Sequence, residues 1–177
     1  AHQDTYYLDS ENFNMAGVWF AMEDIAPDAG RFYLYPESHK IDVSKNGGDF
    51  DIAFNHDRYK DLVVNIIKQH KLSLVAPALK KGDILIWHAK TIHGSLPTID
   101  LQKSRKSFTG HFIPQSERLL QYQSRIKSLH LRTNNGMQVN YPKDLSRFKN
   151  KIIFSLEQSF PKAFASLKKQ MIKRLTT

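Results

Sequence analysis

Hydrophobic residues in the first two thirds of the chain come in short runs whose spacing predicts strands. Residues 15–22, 31–35 and 84–87 are apolar runs bounded by turn residues, and residues 108–113 alternate between apolar and polar positions. Short runs rich in aromatic and branched side chains are typical of β-strands. We expect residues 15–22 and 31–35 to form a hairpin, and residues 108–113 to pair antiparallel with a buried strand at 84–87.

A segment whose apolar residues have helical spacing lies between the second and third of these runs. Apolar side chains recur at three- and four-residue intervals within residues 57–71, which predicts an amphipathic helix packed on the strands; they are Tyr59, Leu62, Val63, Ile66 and Ile67. The segment 41–55 is rich in Gly, Asn and Asp and predicts a loop, which we interpret as a mobile lid at a substrate entrance. Residues 72–79 are β-like and are interrupted by Pro77.

The last third has a different pattern. Residues 115–131 predict a helix that ends near Asn134-Asn135-Gly136, and Ser159 and Pro161 predict the start of a final helix. That helix has an apolar face opposite a lysine face. Two interpretations stay open: the helix docks on the strands with its lysines in solvent, or residues 155–175 make a peripheral contact with an anionic membrane or partner.

Composition narrows the class of protein. The chain has 177 residues, 41% of them hydrophobic, and a formal charge of +9. Residues 1–114 are almost neutral, with 13 Lys and Arg against 14 Asp and Glu, while residues 115–177 have 13 against 3. Charge is the only feature favouring nucleic acid, so we expect no nucleic-acid partner. Because there is no Cys and no run long enough to cross a bilayer, we expect a cytoplasmic protein.

Candidate metal ligands stand at the beginning of the chain and in the strand region. His2 and Asp4 are two residues apart, so on an extended chain their side chains leave the same face. A distant histidine would complete a two-histidine, one-carboxylate set, which leaves positions open on Fe(II). A His-x-Asp tripeptide alone is weak support, because chance supplies it often in a chain of this composition. His93 and His88 compete for the third position, and the residues alone leave the choice between them open.

Arg105 is a candidate anchor for a carboxylate. A guanidinium makes a planar, bidentate pair with a carboxylate that lysine cannot reproduce. The alternative is a surface arginine in a basic linker, since Lys103 and Lys106 are its neighbours. His111 follows on the next predicted strand, and it is either a residue of the site or a hydrogen-bonded core histidine.

Four blocks of sequence in this order resemble the phytanoyl-CoA dioxygenase family of Fe(II)- and 2-oxoglutarate-dependent oxygenases. The resemblance covers residues 1–113 and not 115–177. Its blocks are His2-Gln3-Asp4-Thr5-Tyr6-Tyr7; Trp19-Phe20-Ala21-Met22-Glu23 with Asp28-Ala29-Gly30-Arg31-Phe32 and Pro36-Glu37-Ser38-His39-Lys40; Gly82-Asp83 with His93-Gly94-Ser95; and Arg105-Lys106-Ser107 with Gly110-His111-Phe112.

The resemblance implies a mainly β protein with flanking helices, built on a double-stranded β-helix (a cupin-like jelly roll). It implies that His2, Asp4 and His93 bind Fe(II), and that Arg105 and Ser95 hold the cosubstrate 2-oxoglutarate. Trp19 is then either a wall of the cosubstrate pocket or a core aromatic.

The expected reaction is hydroxylation of a small organic or acyl substrate by O2, with release of succinate and CO2. Related halogenases have a small residue in place of the carboxylate, so Asp4 favours hydroxylation. The family has Gly where this chain has Glu37, which would cost stability if that position needs a positive φ.

The resemblance also bears on the extent of the chain. Family members usually carry helices and strands before the first motif, so we expect this chain to be a fragment lacking its N-terminal strands, with His2 prone to fraying.

We predict a catalytic core at 1–114 and a basic, mostly helical extension at 115–177 that packs on it. Two alternatives stay open: a catalytically incomplete remnant acting as a basic binding module, and a jelly-roll isomerase using another divalent metal.

Overall fold

The computed structural model describes residues 1–41, 43, 56–121, 127–140, 145 and 147–176. The chain divides into two compact units, Ala1–Leu129 and His130–Thr177. Most of the segment interpreted as a lid at 41–55 lies outside the described residues. No helix in the described part of the chain combines the length and the apolar character needed to cross a bilayer.

A three-stranded antiparallel sheet carries most of the first unit's apolar runs. Strand β2 (Ala16–Ala21) lies in the centre, between β4 (Ile84–His88) and β6 (Ser107–Phe112). All three strands were predicted. The predicted direct pairing of β4 with β6 was wrong, because β2 lies between them and pairs with both. The prediction of a buried strand at 84–87 was also wrong for one face, since Ile84 and Ile86 are exposed.

A two-stranded sheet faces this one. Strand β3 (Phe32–Leu34) pairs with β5 (His93–Ser95), so the predicted hairpin between the second and third strands was wrong. Phe32 of this sheet contacts Trp19 and Trp87 of the other, with ring centroids 6.3 and 4.9 Å apart. Antiparallel sheets facing each other across an aromatic core confirm the mainly β class and the predicted double-stranded β-helix.

The predicted helix is present as α1 (His56–Gln69). Its buried side chains are Tyr59, Val63 and Ile66. They pack with Tyr6, Val43 and Ile92 into a second apolar cluster, which joins the beginning of the chain to the residue before β5. Burial of this face, rather than helix propensity, accounts for the helix.

The described residues within 115–131 form no helix, so the helix predicted there was wrong. Strand β7 (Leu119–Gln121) pairs with β1 (Leu8–Ser10) and with β8 (Lys127–Ser128). Strand β1 follows directly after a short 3-10 helix at Asp4–Tyr6. The first unit consequently extends past residue 114.

The second unit contains a hairpin and two helices. Strands β9 (Arg132–Asn134) and β10 (Met137–Val139) are joined by Asn135 and Gly136, both with positive φ. Helix α2 (Phe148–Ser159) is followed by α3 (Pro161–Thr176). Pro161 opens the final helix as predicted, whereas Ser159 ends the preceding helix and does not cap the last one. The packing of the C-terminal extension on the catalytic core stays a prediction.

Candidate metal centre

His2 and His93 face each other across an isolated antiparallel β-bridge. The His2 N–H donates to the His93 carbonyl oxygen at 3.0 Å, and the His93 N–H donates to the His2 carbonyl oxygen at 2.9 Å. Their rings lie with centroids 4.4 Å apart. The bridge extends the β3–β5 sheet by one pair and holds His2, the residue expected to fray, beside the strand that carries His93.

Gln3 and the first turn of the 3-10 helix bring Asp4 to the same place. Gln3 is extended and 1% exposed, and its side chain points away from the histidines, donating to the carbonyl oxygens of Lys90 and Ile41. Alternation along an extended chain then directs His2 and Asp4 to the opposite side. Single ligand atoms of His2, Asp4 and His93 all lie within 4.8 Å of one another.

The two carboxylate oxygens of Asp4 have different partners. Oδ1 lies 3.7 Å from the Nε2 atom of His2 and 3.5 Å from that of His93. Oδ2 accepts a hydrogen bond from the Trp87 indole at 2.9 Å and lies 3.3 Å from the Nε2 atom of His111. Burial alone would raise the pKa of Asp4, but His111, His2 and His93 lower it well below its usual range, so the carboxylate is ionised.

His93 is oriented for metal binding by its own backbone contact. Its Nδ1 atom lies 2.8 Å from the Thr91 carbonyl oxygen, which can only accept a hydrogen bond, so Nδ1 carries the proton and the Nε2 lone pair is free. Burial lowers the pKa of His93, which favours the neutral imidazole that metals bind. Two neutral imidazoles and one carboxylate are the donor set of non-haem Fe(II) sites, and the residues fit that metal.

The structure gives different positions to the two remaining candidate histidines, His88 and His111. His88 is not part of the ligand group: its ring contacts His39 at 5.7 Å, and its Nδ1 atom accepts the Lys90 N–H at 3.1 Å. His111, left open by the sequence, contacts Asp4.

The structure brings Arg105 and Ser95 into contact, and their binding of a cosubstrate stays a prediction. The Arg105 Nη1 atom donates to the Ser95 hydroxyl and to the Gly30 carbonyl oxygen, each at 2.6 Å. Ser95 follows His93 by two residues on β5, so its side chain leaves the same face of the strand. Trp19 is 3% exposed within the aromatic core. Its role beside a cosubstrate stays a prediction.

A tight turn supports the strand that carries His93. Glu37 has a φ of 65°, so the expected cost of a non-glycine residue at this position applies. Its carboxylate accepts a bond from Lys40 at 3.1 Å. The following residue, Ser38, is fully buried and its hydroxyl accepts the Ile92 N–H at 2.8 Å, immediately before His93.

Sequence reasoning missed Gln3, Tyr59 and Trp87. The Gln3 N–H donates to the Tyr59 hydroxyl at 2.8 Å, which ties the segment between the first two ligands to α1. The only available signal was chemical: a buried tryptophan or tyrosine requires a hydrogen-bond partner.

Comparison with known proteins gives the ancestry of the chain. Residues 1–107 match the family model described as phytanoyl-CoA dioxygenase. A phytanoyl-CoA dioxygenase domain-containing protein 1 homolog of Dictyostelium discoideum is 29% identical over 118 residues, covering 63% of this chain and 39% of that protein. Phytanoyl-CoA dioxygenase domain-containing protein 1 of Danio rerio is also 29% identical over 118 residues, covering 63% of this chain and 38% of that protein.

The chain spans about two fifths of the length of these curated relatives. Among solved structures, the α-ketoglutarate-dependent epimerase SnoN from nogalamycin biosynthesis is similar with a TM-score of 0.46 and 16% identity, covering 70% of this chain and 40% of that one. The carbocyclase SnoK from the same biosynthesis has a TM-score of 0.48 and 16% identity, covering 70% and 45%. Since the family model matches well over half of the residues, the chain belongs to the phytanoyl-CoA dioxygenase family.

Proposed function

We propose that the chain is the catalytic part of an Fe(II)- and 2-oxoglutarate-dependent dioxygenase that hydroxylates a small organic or acyl substrate. The observation that carries this proposal is the convergence of His2, Asp4 and His93 from two distant segments. Such a set fits Fe(II) while leaving coordination positions for other ligands. When bound, Fe(II) with 2-oxoglutarate supplies the oxidising chemistry that couples O2 to substrate hydroxylation, succinate and CO2.

The chain's own residues position and neutralise the reactants. Arg105 and Ser95 form a cationic, hydrogen-bonding pair suited to the far carboxylate of 2-oxoglutarate. Two residues of β-strand separate Ser95 from His93, about 6.6 Å along the strand, which suits a five-carbon dicarboxylate reaching from the metal to this pair. The aromatic core formed by Trp19, Phe32 and Trp87 limits water behind the ligands.

The test is anaerobic addition of Fe(II) and 2-oxoglutarate to the purified chain, with the weak visible charge-transfer band of the chelate as the signal. We expect the band in the wild type and its loss in His93→Ala. His88→Ala is the matched control, because that histidine lies nearby outside the ligand group, and it should keep the band. A band that persists in His93→Ala contradicts the ligand assignment.

Arg105→Lys tests the cosubstrate assignment separately. The variant keeps the positive charge but loses the planar pair of donors. We expect the same band to appear only at about tenfold higher 2-oxoglutarate concentration, with Fe(II) affinity unchanged. An unchanged 2-oxoglutarate titration would place the cosubstrate elsewhere. Absence of the band in the wild type would favour the non-catalytic remnant, which retains the fold without assembling the chelate.

A further inference from the structure

On the side away from the ligand histidines, the carboxylate of Asp4 contacts residues of two strands that carry none of the proposed metal ligands. Its Oδ2 atom accepts the Trp87 indole N–H at 2.9 Å and lies 3.3 Å from His111, while Oδ1 faces His2 and His93. Trp87 lies on β4 and His111 on β6. The two oxygens of one carboxylate are thus divided between the ligand histidines and the central sheet.

The register of the sheet explains why Trp87 and His111 converge. Gly17 on β2 is directly opposite Trp87 on one side and directly opposite His111 on the other. Directly opposite residues of antiparallel strands point to the same face, so the three positions form one row across the sheet. The Trp87 and His111 rings meet over this row edge to face, with centroids 6.4 Å apart.

Gly17 provides the space that this row requires. A Cβ atom on Gly17 would lie 2.2 and 2.3 Å from two carbons of the Trp87 indole, far inside van der Waals contact. The indole therefore lies over the backbone of the central strand. From there its N–H reaches the carboxylate of Asp4, which is 7% exposed.

We propose that Trp87 and His111 are positioning residues that present Asp4 to the metal through Oδ1 alone, and that Gly17 makes the arrangement sterically feasible. Because Oδ2 is occupied by the two donors, Asp4 binds through one oxygen and leaves a coordination position open. The inference rests on the proposed metal site and adds to it how the carboxylate is oriented. Loss of outer hydrogen bonds of this kind costs about 10- to 100-fold in metal affinity.

Co(II) is the probe for the test, because its visible spectrum reports the geometry of its ligands. Trp87→Phe keeps an aromatic ring and removes the N–H donor, and His111→Leu removes the second donor. We expect each to weaken Co(II) binding about tenfold and to change the intensity of the visible bands. His111→Gln, which places an amide donor near the position of Nε2, should restore affinity and spectrum toward the wild type.

A third substitution and a check of folding complete the test. Gly17→Ala should reproduce the Trp87→Phe spectrum, because its methyl group displaces the indole. Far-ultraviolet circular dichroism and its thermal melting curve check that each variant is folded. If the variants at Gly17 and Trp87 fail to fold, the two His111 variants test the inference. Wild-type affinity and an unchanged spectrum in folded Trp87→Phe and His111→Leu overturn the inference. Wild-type protein that binds no Co(II), or binds it equally as His93→Ala, overturns the proposed metal site itself and the inference with it.

Discussion

Asp9 makes the stability of the first unit depend on pH in a direction opposite to that of most carboxylates. The side chain is fully buried, its Oδ1 atom accepts the N–H groups of Ser10 and Met15, and Oδ2 has no hydrogen-bond partner. Burial raises the pKa of Asp9 to about 6 from its ordinary value of 3.8, although the backbone bonds and Lys90 act against the shift. The folded chain therefore keeps a proton on Asp9 between these two values, where the unfolded chain has lost it.

The sign and size of the effect follow from this difference. Stability falls with rising pH wherever the folded state binds more protons, so the unfolding free energy falls between the two pKa values and is flat above them. The full shift corresponds to about 3 kcal/mol, of which about 2 kcal/mol is lost between roughly pH 4.5 and roughly pH 7.5. Asp9→Asn keeps an oxygen for the two N–H groups and cannot ionise. Its stability relative to the wild type should therefore rise by about 2 kcal/mol over that interval.

Urea unfolding of the metal-free protein measures this difference, with fluorescence of the buried Trp19 and Trp87 as the signal. Every other titrating group is common to both proteins, so the subtraction isolates Asp9. Asp57→Asn is the matched control, because that carboxylate is on the exposed face of α1, and it should gain no relative stability as the pH rises. A difference between Asp9→Asn and wild type that does not change with pH would refute the reasoning, since Asp9 would then ionise equally in both states.

Three further predictions concern the supports of the site. Glu37→Gly should raise the unfolding free energy by about 1 kcal/mol by relieving the positive φ, whereas Glu37→Ala, which keeps the Cβ atom, should not, as urea unfolding of the pair will show. Ser38→Ala should lower it by about 1–3 kcal/mol by leaving the buried Ile92 N–H without an acceptor, in the same assay. Tyr59→Phe removes the acceptor of the Gln3 N–H, which lies between two ligands. We expect a clear loss of Co(II) affinity in a titration and only a small change in the melting temperature measured by circular dichroism.

The components of the site could be predicted from the sequence partly because their spacing is local and partly because His93 and Ser95 match the motifs of the family that the chain resembles. His2 and Asp4 are two residues apart, as are His93 and Ser95, and extended backbone directs each pair to one side. Arg105 was found by its chemistry and by the family resemblance. The structure brings these residues together without any long-range information having been needed to name them.

Strand partners could not be predicted in the same way. The apolar runs at 84–87 and 108–113 identify strands, but alternation does not say which strand lies between them. The central position of β2 depends on pairing across more than sixty residues of chain, from Ala16 to His88 and Phe112. The row formed by Gly17, Trp87 and His111 exists only in that register, and so no local pattern could reveal it.

The error at 115–131 has a different origin. Asn135-Gly136 was interpreted as the end of a helix, yet both residues have positive φ and join β9 to β10. Asn-Gly is the preferred pair of a two-residue hairpin turn, because its twist matches that of the flanking strands. The signal for a hairpin turn was therefore present in the sequence.

Each of the three proposed ligands is oriented by contacts that do not involve a metal. Reciprocal backbone bonds pair His2 with His93, the Thr91 carbonyl fixes the His93 ring, and Trp87 fixes Asp4. The negative charge of Asp4 in turn acts against the lowering of the His93 pKa by burial. Because these contacts come from both sheets and from the segment tied to α1, the geometry of the centre is a consequence of the fold of the whole first unit. A ligand set already held in place loses little conformational freedom on binding, which favours metal affinity and leaves the open coordination positions defined by the protein.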